Sequence, residues 1–264
     1  MNRDTVYFVS DAHLGDQLPY PPRRQADLVN FLASVGNRIS HLFILGDLFD
    51  FWIEYRHAIR PDFFPILHCL RTLVEKGVRV EYVCGNHDFS FGPFLTDKIG
   101  IRIHEATVTV NLQGRRIHLV HGDGLIQSDI SQRFLRKLLR NRYLHKFYYL
   151  LHPTLGVGLA QSISMASRRR SGRRKQKYRH TDYRAVAQTL LNHHDMVLMG
   201  HTHHPELIQW DDKVYCNTGD WVKHFTCARL LDGRLELFQY QHQGELLPIE
   251  AIQLQPPPYP SNNS

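Results

Sequence analysis

The stretch His41–Asp47, HLFILGD, is a short apolar run that stops on a glycine and a carboxylate. A run of this length, bounded by turn residues, suits a strand buried on both faces. The same design recurs along the chain. Val6–Ser10 ends in Asp11-Ala12-His13, and Arg79–Cys84 ends in Gly85-Asn86-His87-Asp88. Further on, Arg115–Val120 ends in His121-Gly122-Asp123, and Asp195–Met199 ends in Gly200-His201-Thr202-His203. Helical spacing fills the gaps between the first three. Arg23–Asn37 places Ala26, Val29, Phe31, Leu32 and Val35 on one broad face. A second helix is expected from a cap at Asp62 through Lys76, with Gly77 as its stop. This β-α-β-α-β order predicts an α/β fold with helices packed over a sheet.

After Gly100 the texture changes to alternation. Ile101–His104, Thr107–Leu112 and Arg115–Val120 read as strands, with Gln113–Gly114 as a turn. Ser128–Ser167 reads as two or three short helices, broken at Pro153 and Gly156 and rich in Leu, Phe and Tyr. Arg168–Arg179 follows, RRRSGRRKQKYR, in which eight of twelve residues are basic. Thr181–His194 is expected to be a helix. Glu206–Trp210, Lys213–Asn217, Phe225–Leu231, Arg234–Tyr240 and Glu245–Gln253 are expected strands, joined by turns at Asp211–Asp212, Asp232–Gly233 and Gln243–Gly244. Residues 1–255 then form one domain, 125–180 an insertion within it, and 256–264 a disordered Pro-rich tail.

Composition agrees with one large globular domain: 264 residues, 42% hydrophobic and 22% charged. No apolar run reaches the length of a membrane span. The first residues contain no apolar signal core, so a reducing cytosol is the expected compartment. Cys69, Cys84, Cys216 and Cys227 show no paired spacing and are expected in the core. The formal charge of +7 is concentrated in the basic run, which suits phosphates, nucleic acid or an anionic membrane face. Histidine is in excess at 18 residues, more than a core needs.

The chemistry lies in the five loops at the strand ends, where α/β sheets bind their ligands. A single Asp-x-His or His-x-His is commonly a surface accident; five such elements in order, each after a strand, are not. The candidates Asp11, His13, Asp47, Asn86, His121, His201 and His203 offer oxygen and imidazole donors without a thiolate. Such a mixed set suits Mn²⁺, Fe²⁺, Co²⁺, Ni²⁺ or Zn²⁺. Seven donors exceed the needs of one catalytic ion and suit two, about 3.5–4 Å apart, if a carboxylate bridges them. Asp47 is the middle candidate.

These motifs, DxH, GD, GNH[D/E], a lone His and GHxH, resemble the signature of the calcineurin-like metallophosphoesterases from Asp11 to Asp220. The resemblance implies a four-layer β-sandwich of two mixed sheets flanked by helices. It implies that Asp11, His13 and His203 hold one ion, Asn86, His121 and His201 the other, and that Asp47 bridges. It makes His87 a catalytic, non-ligand histidine, with Asp88 beside it able to orient its ring.

Within that superfamily, GDLFDFWIEYR (Gly46–Arg56), HGDGLIQSD (His121–Asp129) and the aromatic, basic insertion resemble the UDP-2,3-diacylglucosamine pyrophosphatases of lipid A synthesis. The best known form of that family has Arg where this chain has His87. The segment NTGDWVKHFT (Asn217–Thr226) resembles a related branch that carries His. The resemblance implies cleavage of UDP-2,3-diacylglucosamine to UMP and 2,3-diacylglucosamine 1-phosphate, by attack of a metal-bridging hydroxide on the α phosphorus. It makes the insertion a helical lid for acyl chains. Asn86, His87, Asp129, Arg133, Arg170, Arg173, Arg174 and His201 are the expected substrate contacts. Two Mn²⁺ ions are the expected cofactors, and a lipid-linked nucleotide diphosphate is the expected substrate. The expected location is peripheral, on the anionic cytoplasmic face of a Gram-negative inner membrane. Two rivals stand beside this reading. A nuclease or nucleotide phosphodiesterase of the same superfamily is disfavoured because the basic residues form one segment rather than a long stripe. A non-catalytic scaffold is disfavoured because no candidate ligand has been lost.

Overall fold

The computed structural model describes residues 4–16, 23–55, 58–126, 151–152, 155–156, 158–159, 162, 180–242 and 244–254. Fourteen strands and three α-helices carry the fold among them. In chain order they are β1 (Thr5–Val9), α1 (Arg24–Val35), β2 (Ile39–Ile44), β3 (Trp52–Ile53), α2 (Phe64–Glu75), β4 (Arg79–Val83), β5 (Asp88–Ser90), β6 (Arg102–His104), β7 (Thr107–Leu112) and β8 (Arg115–Val120). Then come α3 (His180–Leu191), β9 (Met196–Met199), β10 (Glu206–Trp210), β11 (Lys213–Asn217), β12 (Thr226–Leu231), β13 (Arg234–Tyr240) and β14 (Leu246–Gln253).

β3 and β5 pair separately, and the other twelve strands form two mixed sheets. One has seven strands in the order β14-β13-β12-β1-β2-β4-β6, and the other five in the order β10-β11-β9-β8-β7. β1, β2, β4 and β6 run parallel, so the loops after β1, β2 and β4 leave the sheet at one end. In the second sheet β8, β9 and β11 are likewise parallel, and the loops after β8 and β9 emerge together. Val6, Phe8, Phe43, Leu45 and Val83 of the larger sheet meet Ile117, Leu119, Met196, Leu198 and Val214 of the smaller in one buried cluster. The opposite face of the larger sheet packs on α1 and α2 through Tyr7, Leu42, Ile44, Phe31, Leu32 and Leu70. α3 covers the smaller sheet, with Ala187 and Leu191 against Val120, Val197, Met199 and Tyr215. This is the four-layer arrangement of helices, two mixed sheets and helices that the motifs implied.

Two local readings change. In α1, Leu28 is fully buried and Ala26 exposed. Leu28, Phe31, Leu32 and Val35 fall at i, i+3, i+4 and i+7, the stripe that meets the sheet. Asp62 does not cap α2. A single tight turn over Pro61–Phe63 leads into it, Pro65 occupies its first turn, and the Asp62 carboxylate instead accepts from Arg60 Nη2 at 2.9 Å. Proline fits there because the first turn lacks partners for its N–H groups in any case. All four cysteines are buried thiols. Among the described residues no helix is long and apolar enough to cross a membrane. Of the expected lid helices only residues 151–152, 155–156, 158–159 and 162 are described, those at 155–156, 158–159 and 162 being helical; the basic run and the tail lie outside the described residues.

Candidate metal centre

The sheet ends are stitched together before any side chain is considered. Asp11 N–H donates to the Gly46 carbonyl at 3.1 Å, His13 N–H to Asp47 at 2.9 Å, and Gly200 N–H to His121 at 3.0 Å. β3 pairs with β5 in parallel, Trp52 opposite Asp88, and so ties the loop after β2 to the loop after β4. Backbone conformation marks the same place. Nine non-glycine residues among those described have positive φ, and five of them are Asp11 (51°), His13 (43°), Asp47 (54°), His201 (66°) and His203 (58°). Such conformations cost about 1–3 kcal/mol each and persist where surrounding structure imposes them, often at functional sites.

All seven ligand candidates converge there. His13 Nε2 lies 3.1 Å from His203 Nε2, and Asp11 Oδ1 lies 3.2 Å from His203 Nε2 and 3.7 Å from His13 Nε2. Asn86 Oδ1 lies 3.3 Å from His121 Nε2, and the His121 and His201 rings are 5.1 Å apart. Asp47 Oδ2 stands between the two groups, 3.3 Å from His121 Nε2 and 4.0 Å from His13 Nε2. Donor atoms of Asp11, His13 and His203 lie within 4.8 Å of one another, as do those of Asp11, Asp47 and His121, and those of His13, Asp47 and His87.

The remaining hydrogen bonds leave the correct atoms facing inward. Asp11 Oδ2 accepts from His201 N–H at 2.8 Å, whereas Asp11 Oδ1 is buried with no hydrogen bond. Asp47 Oδ1 accepts from His87 N–H at 2.9 Å, which leaves Oδ2 for the cluster. His121 Nδ1 donates to the Leu45 carbonyl at 2.7 Å, so Nε2 is its free nitrogen. An orphaned buried carboxylate oxygen facing two imidazoles is costly unless a cation completes it. The arrangement therefore fits divalent metal ions, and overlapping donor groups that share Asp11, His13 and Asp47 suit a binuclear site.

Charge follows the same logic. Burial opposes ionisation of Asp11, but His203 and His121 hold its carboxyl well below the usual range; His121 and His87 do the same for Asp47. Burial would lower His203, yet Asp11 and Asp220 carry it up to about 9. Burial takes His13 and His201 down to about 4. Ionised carboxylates beside protonated imidazoles form the charge balance that an entering cation takes over, with release of protons.

His87 reaches the cluster, its ring 4.7 Å from that of His13. Its orientation does not come from Asp88. His87 Nδ1 donates to the Asp50 carbonyl at 2.6 Å, and Asp50 Oδ1 lies 3.5 Å from the same nitrogen. Asp88 instead accepts from the N–H groups of Asp47 (3.0 Å) and Gly85 (2.8 Å) and from Tyr82 Oη at 2.8 Å. Burial and the Asp47 charge push Asp88 up to about 7. Asp88 thus braces the loop of Asp47, a role dictated by three donors that sequence spacing does not display. Asp50 and Asp220 were also missed. Asp129, Arg133, Arg170, Arg173 and Arg174 lie outside the described residues.

Glycine is required where the loops touch. A Cβ on Gly85 would meet Asp47 Oδ1 at 2.2 Å and Asp47 N at 3.0 Å. Gly85→Ala should therefore displace Asp47 rather than merely crowd the core. Overpacking of this kind costs about 1–3 kcal/mol. The expected result is a lowered melting temperature together with weakened metal affinity by calorimetric titration. Unchanged affinity would show that Asp47 tolerates displacement.

The calcineurin-like phosphoesterase family model matches residues 5–205 of this chain, a span that contains all seven candidates. A UDP-2,3-diacylglucosamine hydrolase of Porphyromonas gingivalis is 30% identical over 245 residues, covering 86% of this chain and 94% of that protein. A UDP-2,3-diacylglucosamine hydrolase of Edwardsiella ictaluri is 29% identical over 229 residues, covering 84% and 87%. A crystal structure of a Vps29 variant from Entamoeba histolytica aligns with a TM-score of 0.49 at 13% identity, covering 95% and 99%. A model match across three-quarters of the chain, ending just past the last histidine of a gathered Asp/His/Asn cluster, leaves one family: this chain belongs to the calcineurin-like phosphoesterases.

Proposed function

We propose that this chain hydrolyses the diphosphate bond of UDP-2,3-diacylglucosamine, giving UMP and 2,3-diacylglucosamine 1-phosphate. The observation that carries the substrate is coverage. Similarity to a hydrolase of that name extends over 86% of this chain, well beyond the motif loops that every phosphoesterase needs. Two divalent ions, which we take to be Mn²⁺ among those the donor set accepts, would supply an activated water and neutralise phosphoryl oxygens. Asp11, His13 and His203 would hold one ion, Asn86, His121 and His201 the other, and Asp47 both.

The chain's own residues do the rest. The Asp50 carbonyl fixes the proton on His87 Nδ1, so Nε2 is the working nitrogen of that ring. Once protonated, Nε2 can donate to a phosphoryl oxygen whose charge grows as water adds to the α phosphorus. The departing group is itself a phosphate, so it leaves without a strong general acid.

The proposal includes residues 125–180 as a lid that receives the acyl chains and rests on an anionic cytoplasmic membrane face. Each buried CH₂ contributes about 0.8 kcal/mol, so two acyl chains outweigh the sugar contacts in binding. Replacing 128–177 by a Gly/Ser linker should leave turnover of bis-p-nitrophenyl phosphate largely intact and raise KM steeply for the diacyl substrate. Equal loss on both would make the segment structural. The reading as a whole is tested by rates on UDP-2,3-diacylglucosamine in mixed micelles, bis-p-nitrophenyl phosphate and single-stranded DNA. Preference for DNA would replace the lipid substrate with nucleic acid.

A further inference from the structure

The family model ends at residue 205, yet a segment beyond it reaches into the centre. Asn217–Thr226 leaves β11 and crosses under both the β1 and β9 loops. Asn217 Nδ2 donates to the Gly200 carbonyl at 2.8 Å, and Thr218 N–H to Met199 at 2.9 Å. Ser10 Oγ, one residue before Asp11, lies 2.8 Å from Thr218 Oγ1. Trp221 N–H donates to the Asp11 carbonyl at 3.2 Å. The segment thus straps the two loops that carry Asp11 and His203.

Asp220 stands at the middle of this strap, 2% exposed. Its Oδ1 accepts from three successive backbone N–H groups: Val222 at 2.9 Å, Lys223 at 2.6 Å and His224 at 2.9 Å. Its Oδ2 lies 3.5 Å from His203 Nδ1 and 3.1 Å from His224 Nδ1. The carboxylate is therefore fixed by backbone on one oxygen and presents the other to His203. The opposite nitrogen of that ring, Nε2, is the one that faces Asp11 and His13.

We infer that Asp220 is a positioning residue for the metal centre, one that keeps the His203 proton on Nδ1 and turns Nε2 toward the ion shared with Asp11 and His13. A carboxylate behind a ligating imidazole fixes its tautomer and raises its basicity, and loss of such a partner typically costs about 10–100-fold in metal affinity. His224 shares the same oxygen but belongs to none of the donor groups, so it serves as the control.

This inference rests on the reading of the cluster as a metal centre, and the experiment separates the two. The full chain is stripped of metal and titrated with Mn²⁺ by calorimetry, alongside Asp220→Asn and His224→Ala. Asn keeps an oxygen for the backbone donors but removes the charge behind His203, and thermal melts of the metal-free proteins check the fold. The expected result is two ions bound by the native chain. Asp220→Asn should weaken one of them about 10–100-fold and spare the other, while His224→Ala leaves both unchanged. Unchanged affinities in a folded Asp220→Asn, or equal weakening by His224→Ala, would overturn the positioning role alone. Failure of the native chain to bind transition ions would overturn the metal centre itself. Should Asp220→Asn not fold, ¹⁵N-histidine spectra of the Zn²⁺-loaded native chain decide the matter. Metal on His203 Nε2 with a proton on Nδ1 is expected, and metal on Nδ1 refutes the inference.

Discussion

Asp47→Ala should abolish turnover and empty both metal positions, the largest effect of any single substitution in this chain. Its Oδ2 is the carboxylate oxygen found between His121 and His13, which belong to opposite halves of the cluster. Removing it takes one donor from each ion and the negative charge that lets two cations sit about 3.5–4 Å apart. It also removes the acceptor for His87 N–H, so the loop carrying Asn86 and His87 loses one of its anchors. Fold stability should fall much less than metal affinity, because the sheets beneath are held by apolar contacts that Asp47 does not make. Elemental analysis after gel filtration checks this: both ions should be missing from a protein that still melts cooperatively. Full occupancy would show that Asp47 does not bridge.

His87→Ala should behave in the opposite way, retaining metal while kcat falls about 10²–10³-fold, the usual cost of removing one donor that acts on the transition state. KM should change less. The ring can be removed without unmooring the loop, since its backbone N–H still holds Asp47 and Asp88 still braces Gly85 and Asp47. His87→Arg is the sharper comparison. Survival of activity on the lipid substrate would assign charge stabilisation to this position and exclude proton transfer by it. Loss of metal from His87→Ala would make it a ligand, consistent with its grouping beside His13 and Asp47.

The centre was legible in sequence because its chemistry stands at strand ends, where an apolar run stops on a polar residue that the sheet then holds in place. Parallel β1, β2 and β4 bring Asp11, Asp47 and Asn86 to one edge with no further information. What was not legible depends on distant pairing. Asp88 sits beside His87 in the chain, and adjacency suggested that it orients that ring, but Tyr82 and two backbone N–H groups claim it instead. Asp50 and Asp220 look like ordinary loop carboxylates in the sequence. Only the fold places one at His87 and the other behind His203. The spacing of Asp50 three residues after Asp47 was a usable signal, as was the position of Asp220 between two buried strands. Left-handed backbone at His13, His201 and His203 left only a weak signal in the sequence, since histidine enters that region more often than most residues but does not mark a turn as glycine or asparagine does.

On the proposed function, water attacks the nucleotide diphosphate at its α phosphorus. The most direct test is hydrolysis of UDP-2,3-diacylglucosamine by the Mn²⁺-loaded chain in ¹⁸O-water, with mass spectrometry of both products. One ¹⁸O in UMP and none in the lipid 1-phosphate is the expected outcome; label in the lipid phosphate, or intact substrate, would overturn the proposed function.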